Sequence, residues 1–239
     1  MNRLRNNAMV ELAYTPIYNL SKESFKIVFQ NIRSLHHHFL DMKSNHLIES
    51  AEIIAVAETR LTHFDVDDDY ALPCYSLSRN DQQKQYCSGR PPHGLAIYNH
   101  ETIQIDNQHH YSTEKFEYTF QLLKFRNQQI QVIVIYIAPV CDITSFSNGI
   151  ASIKEIINGK LPLVIIGYTN LNIQNSSNSN KINMIKDTLQ CQQFISQSTT
   201  DNNTILDHIY SNCTLQAYGT IDSPWSDHKF IYAALATFI

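Results

Sequence analysis

Glycine is scarce in this chain, six in 239 residues, against ~7% in average usage. Its turns must therefore be made by Asn, Asp, Ser and Pro, each of which suits a turn for its own reason. Nowhere does the sequence offer the ~18 to 20 consecutive apolar residues that a membrane helix needs. The longest apolar runs, such as the one over 132–139, have strand length. Arg3 and Arg5 are followed by no apolar stretch with a small-residue cleavage site, so no secretory signal is read and an intracellular location, nuclear or cytoplasmic, is expected. The four Asn-x-Ser/Thr sites at Asn19, Asn175, Asn202 and Asn212 then carry no meaning. An excess of positive charge is also missing: 18 basic against 22 acidic residues give −4. That excludes a strongly basic nucleic-acid-binding domain, but not an enzyme that needs only a local positive face or a bound metal. The five cysteines, at 74, 87, 141, 191 and 213, form no C-x-x-C pair and read as reduced thiols rather than a zinc site. Internal repeats, a P-loop, G-x-S-x-G, H-E-x-x-H and a dinucleotide fingerprint are all absent.

What is present is a chain that is 43% hydrophobic, enough for one sizeable domain. No Ser/Pro-rich linker divides it. The reading is an N-terminal extension over 1–22 and one domain over 23–239. Apolar segments of strand length recur at 25–29, 53–57, 93–98, 116–125, 130–137, 161–166, 205–210 and 229–235. The fourth and fifth flank Arg126-Asn-Gln-Gln129 and read as a hairpin. Helices are expected over 37–48, 144–157 and 181–189, and Asn175-Ser-Ser-Asn-Ser-Asn180 as a solvated loop. Strands dominate, and two packed sheets with helices outside fit this order better than strict βαβ alternation.

Polar residues gather where these strands end, which is where loops present functional groups. Asn31 follows the first strand, Glu58 the second, and Tyr136 closes the hairpin. Asn170 lies just past Gly167, Asp207 sits in the penultimate strand, and Ser226-Asp227-His228 precedes the last. Singly, each has an ordinary explanation as a cap, a turn or a packing residue. Their joint order does not. The stretches Phe29-Gln-Asn-Ile-Arg-Ser-Leu35, Ile53-Ile-Ala-Val-Ala-Glu-Thr-Arg-Leu61, His93-Gly-Leu-Ala-Ile-Tyr98, Val134-Ile-Tyr-Ile-Ala-Pro139, the segment 199–212 and Trp225-Ser-Asp-His-Lys229 follow one another over almost the whole chain. In that order they resemble the endonuclease/exonuclease/phosphatase superfamily, most of all the apurinic-like endonuclease domains of non-LTR retrotransposons and Helitron-like transposons.

The resemblance implies a four-layered α/β sandwich: two mixed β-sheets packed face to face, with helices outside. It implies metal-assisted hydrolysis of a DNA phosphodiester with Mg²⁺ or Mn²⁺, a hard ion that needs only one or two carboxylates. Glu58, Asn31 and Asp227 match the metal-side residues. His228 matches the histidine at the scissile phosphate, Asp207 the carboxylate that orients it, and Tyr136 and Asn170 groups that hydrogen-bond the phosphate. The implied partner is DNA, with no membrane and no small-molecule cofactor; the oligomeric state is left open. One position departs from the pattern. Relatives carry Gly-Asp-x-Asn where this chain has Gly167-Tyr168-Thr169-Asn170. A phenol, with an ordinary pKa of about 10, is a poor base near neutral pH. Impaired hydrolysis is therefore expected, with a DNA-binding pseudoenzyme as the first rival and a phosphatase or other phosphodiesterase of the same superfamily as the second.

Three weaker signals complete the reading. His36-His-His38 opens a helix, where adjacent side chains do not face each other, so the three are not expected to share an ion. Asp65-Val-Asp-Asp-Asp69 lacks the glycine and closing glutamate of a calcium loop and reads as a solvated acidic turn. Lys22, Lys26, Arg33 and Lys43 cluster along the chain near Asn31, where they could seat a nucleic-acid backbone or simply form a charged surface.

Overall fold

The computed structural model describes residues 20, 24–46, 50–82 and 93–236. The expected extension over 1–22, Leu20 apart, lies outside them, as do Lys22 and Cys87. Twelve strands form two six-stranded sheets. The first contains β1 (Phe25–Asn31), β2 (Ile53–Ala57), β3 (Tyr75–Asn80), β4 (Leu95–His100), β11 (Ala217–Ile221) and β12 (Phe230–Leu235), in the order β11-β12-β1-β2-β4-β3. The second contains β5 (Gln104–Ser112), β6 (Phe116–Phe125), β7 (Gln128–Ile137), β8 (Leu163–Tyr168), β9 (Gln192–Gln193) and β10 (Asp207–Ser211), in the order β5-β6-β7-β8-β10-β9.

Each sheet holds one parallel pair, β1 with β2 and β7 with β8, among antiparallel neighbours. A parallel pair needs a crossover. Helices α1 (Leu35–Lys43) and α2 (Ile143–Ile156) supply the two crossovers, and α3 (Ser179–Leu189) follows β8. Three apolar layers result. Phe25, Ile27, Phe29, Ile53 and Ala55 of the first sheet meet Val132, Val134, Val164 and Ile166 of the second. The outer face of the first sheet packs on Leu35, Phe39 and Met42 of α1. That of the second packs on Phe146, Ile150 and Ile153 of α2 and Ile185 and Leu189 of α3. This is the four-layered sandwich with helices outside. No helix among the described residues is long and apolar enough to cross a membrane.

The elements the sequence signals most clearly are the central ones. β2 is buried along its whole length, so both its faces must be apolar and the run is continuous; β1, whose alternating pattern suggests one exposed face, is buried throughout as well, Lys26 and Gln30 included. The hairpin forms as expected, but its turn is tighter. Only Arg126 and Asn127 leave the ladder, both at positive φ (49° and 72°), the signature of a two-residue turn that follows strand twist. Four strands were not foreseen. β5 is almost wholly exposed and polar, β3 and β11 are largely half-buried, and β9 has two residues, so none carries a hydrophobic pattern. The Asn175–Asn180 patch is not all loop: residues 176–178 form a 3-10 turn and Ser179 opens α3. α1 starts two residues earlier than expected and ends at Lys43; residues 47 and 48 of the expected helix lie outside the described set.

The closest approach in the second sheet is at Gly167, paired with Ile135 of β7. A Cβ there would lie 2.0 Å from the Ile135 carbonyl oxygen, and φ is +156°. Backbone cannot yield as a side chain can. Gly167→Ala should therefore lower stability by about 3 kcal/mol, read as a drop in the urea midpoint; an unchanged midpoint would show that β7 and β8 can move apart freely.

Candidate active site

The parallel pairs end side by side, and their carboxyl ends carry the polar residues, as open α/β sheets generally place their ligands. Asn31 closes β1 in register with Ala57 of β2, so Glu58 is the first residue beyond its neighbour. The Asn31 amide donates to Glu58 Oε1 at 2.9 Å, and Asn31 Oδ1 accepts from the Arg33 backbone N–H at 3.2 Å. Glu58, Arg33 and Arg60 all adopt left-handed backbone, with φ of 54°, 58° and 59°. For non-glycine residues this costs of order 1 kcal/mol or more each. The surrounding hydrogen bonds hold it in place: Ile32 N–H to Ala57 O at 3.0 Å and Leu35 N–H to Thr59 O at 2.9 Å stitch the two exit loops together.

From the second sheet come Tyr136 and Tyr168, register partners on β7 and β8, with rings stacked at 5.5 Å. Tyr136 Oη lies 2.8 Å from His93 Nδ1. Tyr168 donates to Asn170 Oδ1 at 2.8 Å, and Asn170 itself has φ +53°. Burial pushes both phenols above the ordinary value. The charges of Asp207 and Glu58 add to this at Tyr168, and that of Glu58 at Tyr136. Neither tyrosine is a phenolate near neutral pH.

Asp207 opens β10 opposite Tyr168, and its Oδ2 lies 2.8 Å from His228 Nδ1. Both side chains are almost completely buried. Burial pulls the imidazole down, but the Asp207 carboxylate and its hydrogen bond outweigh it, so His228 holds its proton more firmly than a free imidazole. Burial drives the Asp207 carboxyl upward against the pull of His228. A carboxylate on Nδ1 fixes the tautomer and leaves Nε2 for chemistry. Local structure fixes the pair. Thr199 Oγ1 accepts from the Leu206 and Asp207 amides at 3.0 and 3.1 Å, and Thr199 O accepts from Lys229 N–H at 2.9 Å. On the other side Ser226 Oγ donates to Asn31 O at 3.0 Å and accepts from His228 N–H at 3.1 Å. Gln30 donates to His228 O at 3.1 Å while accepting from the Trp225 indole at 3.1 Å. The Tyr168 ring meets His228 edge-on at 5.2 Å, which closes the circuit.

One network of hydrogen bonds and ring contacts thus joins Asn31, Glu58, Tyr136, Asn170, Asp207 and His228, with Asp227 attached through Arg33, whose Nε lies 2.9 Å from Asp227 Oδ1. Among the described residues no three His, Cys, Asp or Glu side chains stand close enough to hold a metal on their own. The donors are hard oxygens, however, and Mg²⁺ retains waters and needs few protein ligands. The Glu58 charge also raises the pKa of Tyr136, Tyr168, Glu117 and Asp207. That surplus of negative potential fits one hard cation beside Glu58 and Asn31.

The basic cluster is not assembled here as a group. Lys26 is buried and reaches Ser50 O at 3.3 Å, Lys43 lies over the Phe39 ring, and of the cluster's described members only Arg33 reaches the site. The histidine triplet indeed diverges: His36 joins Tyr70 and Asp65, while His38 joins Asp41. The acidic run is more than a solvated turn. Arg79, nearly buried, binds the Asp65 carbonyl at 2.7 Å, Asp67 at 2.7 Å, and Asp81.

Sequence reasoning missed His93, Gln30, Thr199 and Glu117. The last had a signal. Glu117, Thr119 and Gln121 alternate with Phe116, Tyr118 and Phe120 along β6 and are all buried, which marks a polar inner face. Glu117 pairs with Tyr136, and neither carboxyl oxygen has a well-aligned hydrogen-bond partner, the Gly94 amide being an ill-aligned donor. Burial lifts its pKa to about 8, the Gly94 amide opposing and the charges of Asp81 and Glu58 adding. A folded pKa raised above 4.5 means the native state binds the extra proton, so stability drains as pH rises from about 4.5 through about 8. Glu117→Gln mimics the protonated form. It should match the parent near pH 5 and exceed it at pH 8.5 by on the order of a few kcal/mol, measured by urea denaturation; equal pH profiles would mean Glu117 is ionised and paired.

No protein-family model matches the sequence, and no curated protein matches it. Solved structures do. An endonuclease/exonuclease/phosphatase family protein from Bacteroides thetaiotaomicron superposes with a TM-score of 0.66 at 12% identity, covering 90% of this chain and 98% of that one. A mannosyl-6-phosphatase from the same organism gives 0.65 at 13%, with 88% and 99% covered. The endonuclease domain of TRAS1, a telomere-specific non-LTR retrotransposon, gives 0.64 at 14%, with 89% and 98% covered. With both sheets, their parallel pairs and the outer helices accounted for, the chain has the endonuclease/exonuclease/phosphatase fold.

Proposed function

We propose that this chain is a divalent-metal-dependent DNA endonuclease domain of mobile-element type whose hydrolytic step is suppressed by Tyr168. The observation that carries the reading is the buried Asp207–His228 pair, 2.8 Å apart, tied through Ser226 to the Asn31–Glu58 pair. A buried carboxylate–imidazole couple next to a half-exposed carboxylate is an arrangement for acid–base work on a charged ester. Glu58 and Asn31, with Asp227, would hold Mg²⁺ or Mn²⁺, which supplies polarisation of the phosphoryl oxygens and neutralises charge on the leaving oxygen. His228 offers Nε2 to the phosphate, and Asp207 steadies the charge the imidazole carries.

Tyr168 weakens this in two ways. Its phenol keeps its proton, so no group at that position deprotonates water. Its hydroxyl also occupies Asn170 Oδ1. A protein that binds DNA without cutting it is the second reading, and it rests on the same residue.

Purified chain and its Tyr168→Asp variant should be compared on supercoiled plasmid with Mg²⁺. The variant is expected to nick about 10²-fold faster or more, and His228→Ala in that background to abolish the gain. Nicking by the parent at the variant's rate would overturn the suppression. Release of phosphate from soluble phosphomonoesters with plasmid left intact would favour a phosphatase instead.

A further inference from the structure

The cationic side chain that reaches the candidate site has a duty there that the reading above leaves unassigned. Arg33 projects from the strained exit of β1, φ +58°, its backbone N–H fixed on Asn31 Oδ1. From there its guanidinium crosses to the loop before β12 and forms an ion pair with Asp227, Nε lying 2.9 Å from Oδ1. No other hydrogen bond links it to a described residue, and its side chain is 52% exposed. A guanidinium presents five N–H donors in a planar fork that matches a phosphate, and half of this side chain's surface is open to receive one. Its charge also reaches His228 and Tyr168 electrostatically.

Asp227 is therefore claimed twice. Arg33 neutralises it, yet the proposed cation needs it. The phosphate of a bound strand needs Arg33 in turn. We propose that Arg33 is a shared residue, neutralising Asp227 in the free protein and transferring to a DNA phosphate on binding, so that Asp227 is released to the divalent cation. Phosphate and cation then favour each other through one side chain, a coupling that is reciprocal by necessity. The proposal rests on the nuclease-type reading, and its test separates the two.

Binding of a short DNA duplex is measured without divalent metal by fluorescence anisotropy. Asp227→Asn frees Arg33 and should tighten binding about fivefold or more. In an Arg33→Gln background the same substitution should gain little, because there is no guanidinium to release. Mn²⁺ binding without DNA, followed by electron paramagnetic resonance, should tighten in Arg33→Gln and lose that gain when Asp227 is also Asn. Equal tightening of duplex binding in both backgrounds, or Mn²⁺ affinity unmoved by Arg33→Gln, would overturn the sharing and leave the nuclease-type reading standing. A parent chain that binds neither duplex nor Mn²⁺ would overturn both. Both side chains are partly exposed, and unchanged thermal melting of each variant guards against misfolding.

Discussion

The packing of the two sheets across one apolar layer is the constraint on which the rest depends. β1 and β2 pair in parallel in one sheet, β7 and β8 in the other, and their side chains interlock in a shared core. Fully burying a Val, Leu, Ile or Phe contributes about 1.5–3 kcal/mol each, so sliding one sheet over the other is prohibitive. Residues far apart in sequence are thereby held in fixed relation at the strand ends. Asn31 and Glu58 belong to the first sheet, Tyr136 and Tyr168 to the second, and β12 returns beside β1 to bring His228 between them.

Polar burial is the counterpart of that rigidity. Asn31, Thr199, Asp207, His208 and His228 are all nearly inaccessible, and each unmet hydrogen bond there would cost about 1–3 kcal/mol. Most of these groups are met. His208, for example, sets Nδ1 at 2.8 and 3.1 Å from the Tyr210 and Thr169 hydroxyl oxygens, and Nε2 at 3.2 Å from Ile205 O. Burial lowers its pKa to about 4, so it serves as a neutral brace between Thr169 and Ile205. Asp207 Oδ1 is left over, and so are both carboxyl oxygens of Glu117 at the back of the site.

How much of this was legible follows from the same physics. The buried strands announced themselves because two-sided burial forces continuous apolar runs, as in 53–57 and 130–137. Edge strands such as β5 answer to no such demand, and their polar sequences hid them. Asn31, Glu58 and His228 could be picked out because each borders an apolar segment, and Asp207 because it interrupts one. The partners that hold them could not: Gln30 lies within an apolar strand and Thr199 in an irregular segment, and their value lies in contacts across nearly 200 residues or through backbone amides. Tyr168 was legible as a substitution, but its hold on Asn170 and its edge contact with His228 were not.

The Trp225 indole, bonded to Gln30 and edge-on to the Phe230 ring at 5.6 Å, belongs to the segment that delivers His228. It is also the sole tryptophan in the chain. Tryptophan emission, excited at wavelengths where the chain's 13 tyrosines do not absorb, therefore comes from one place, three residues from the imidazole, and its colour and yield record the local state of that segment without any attached dye.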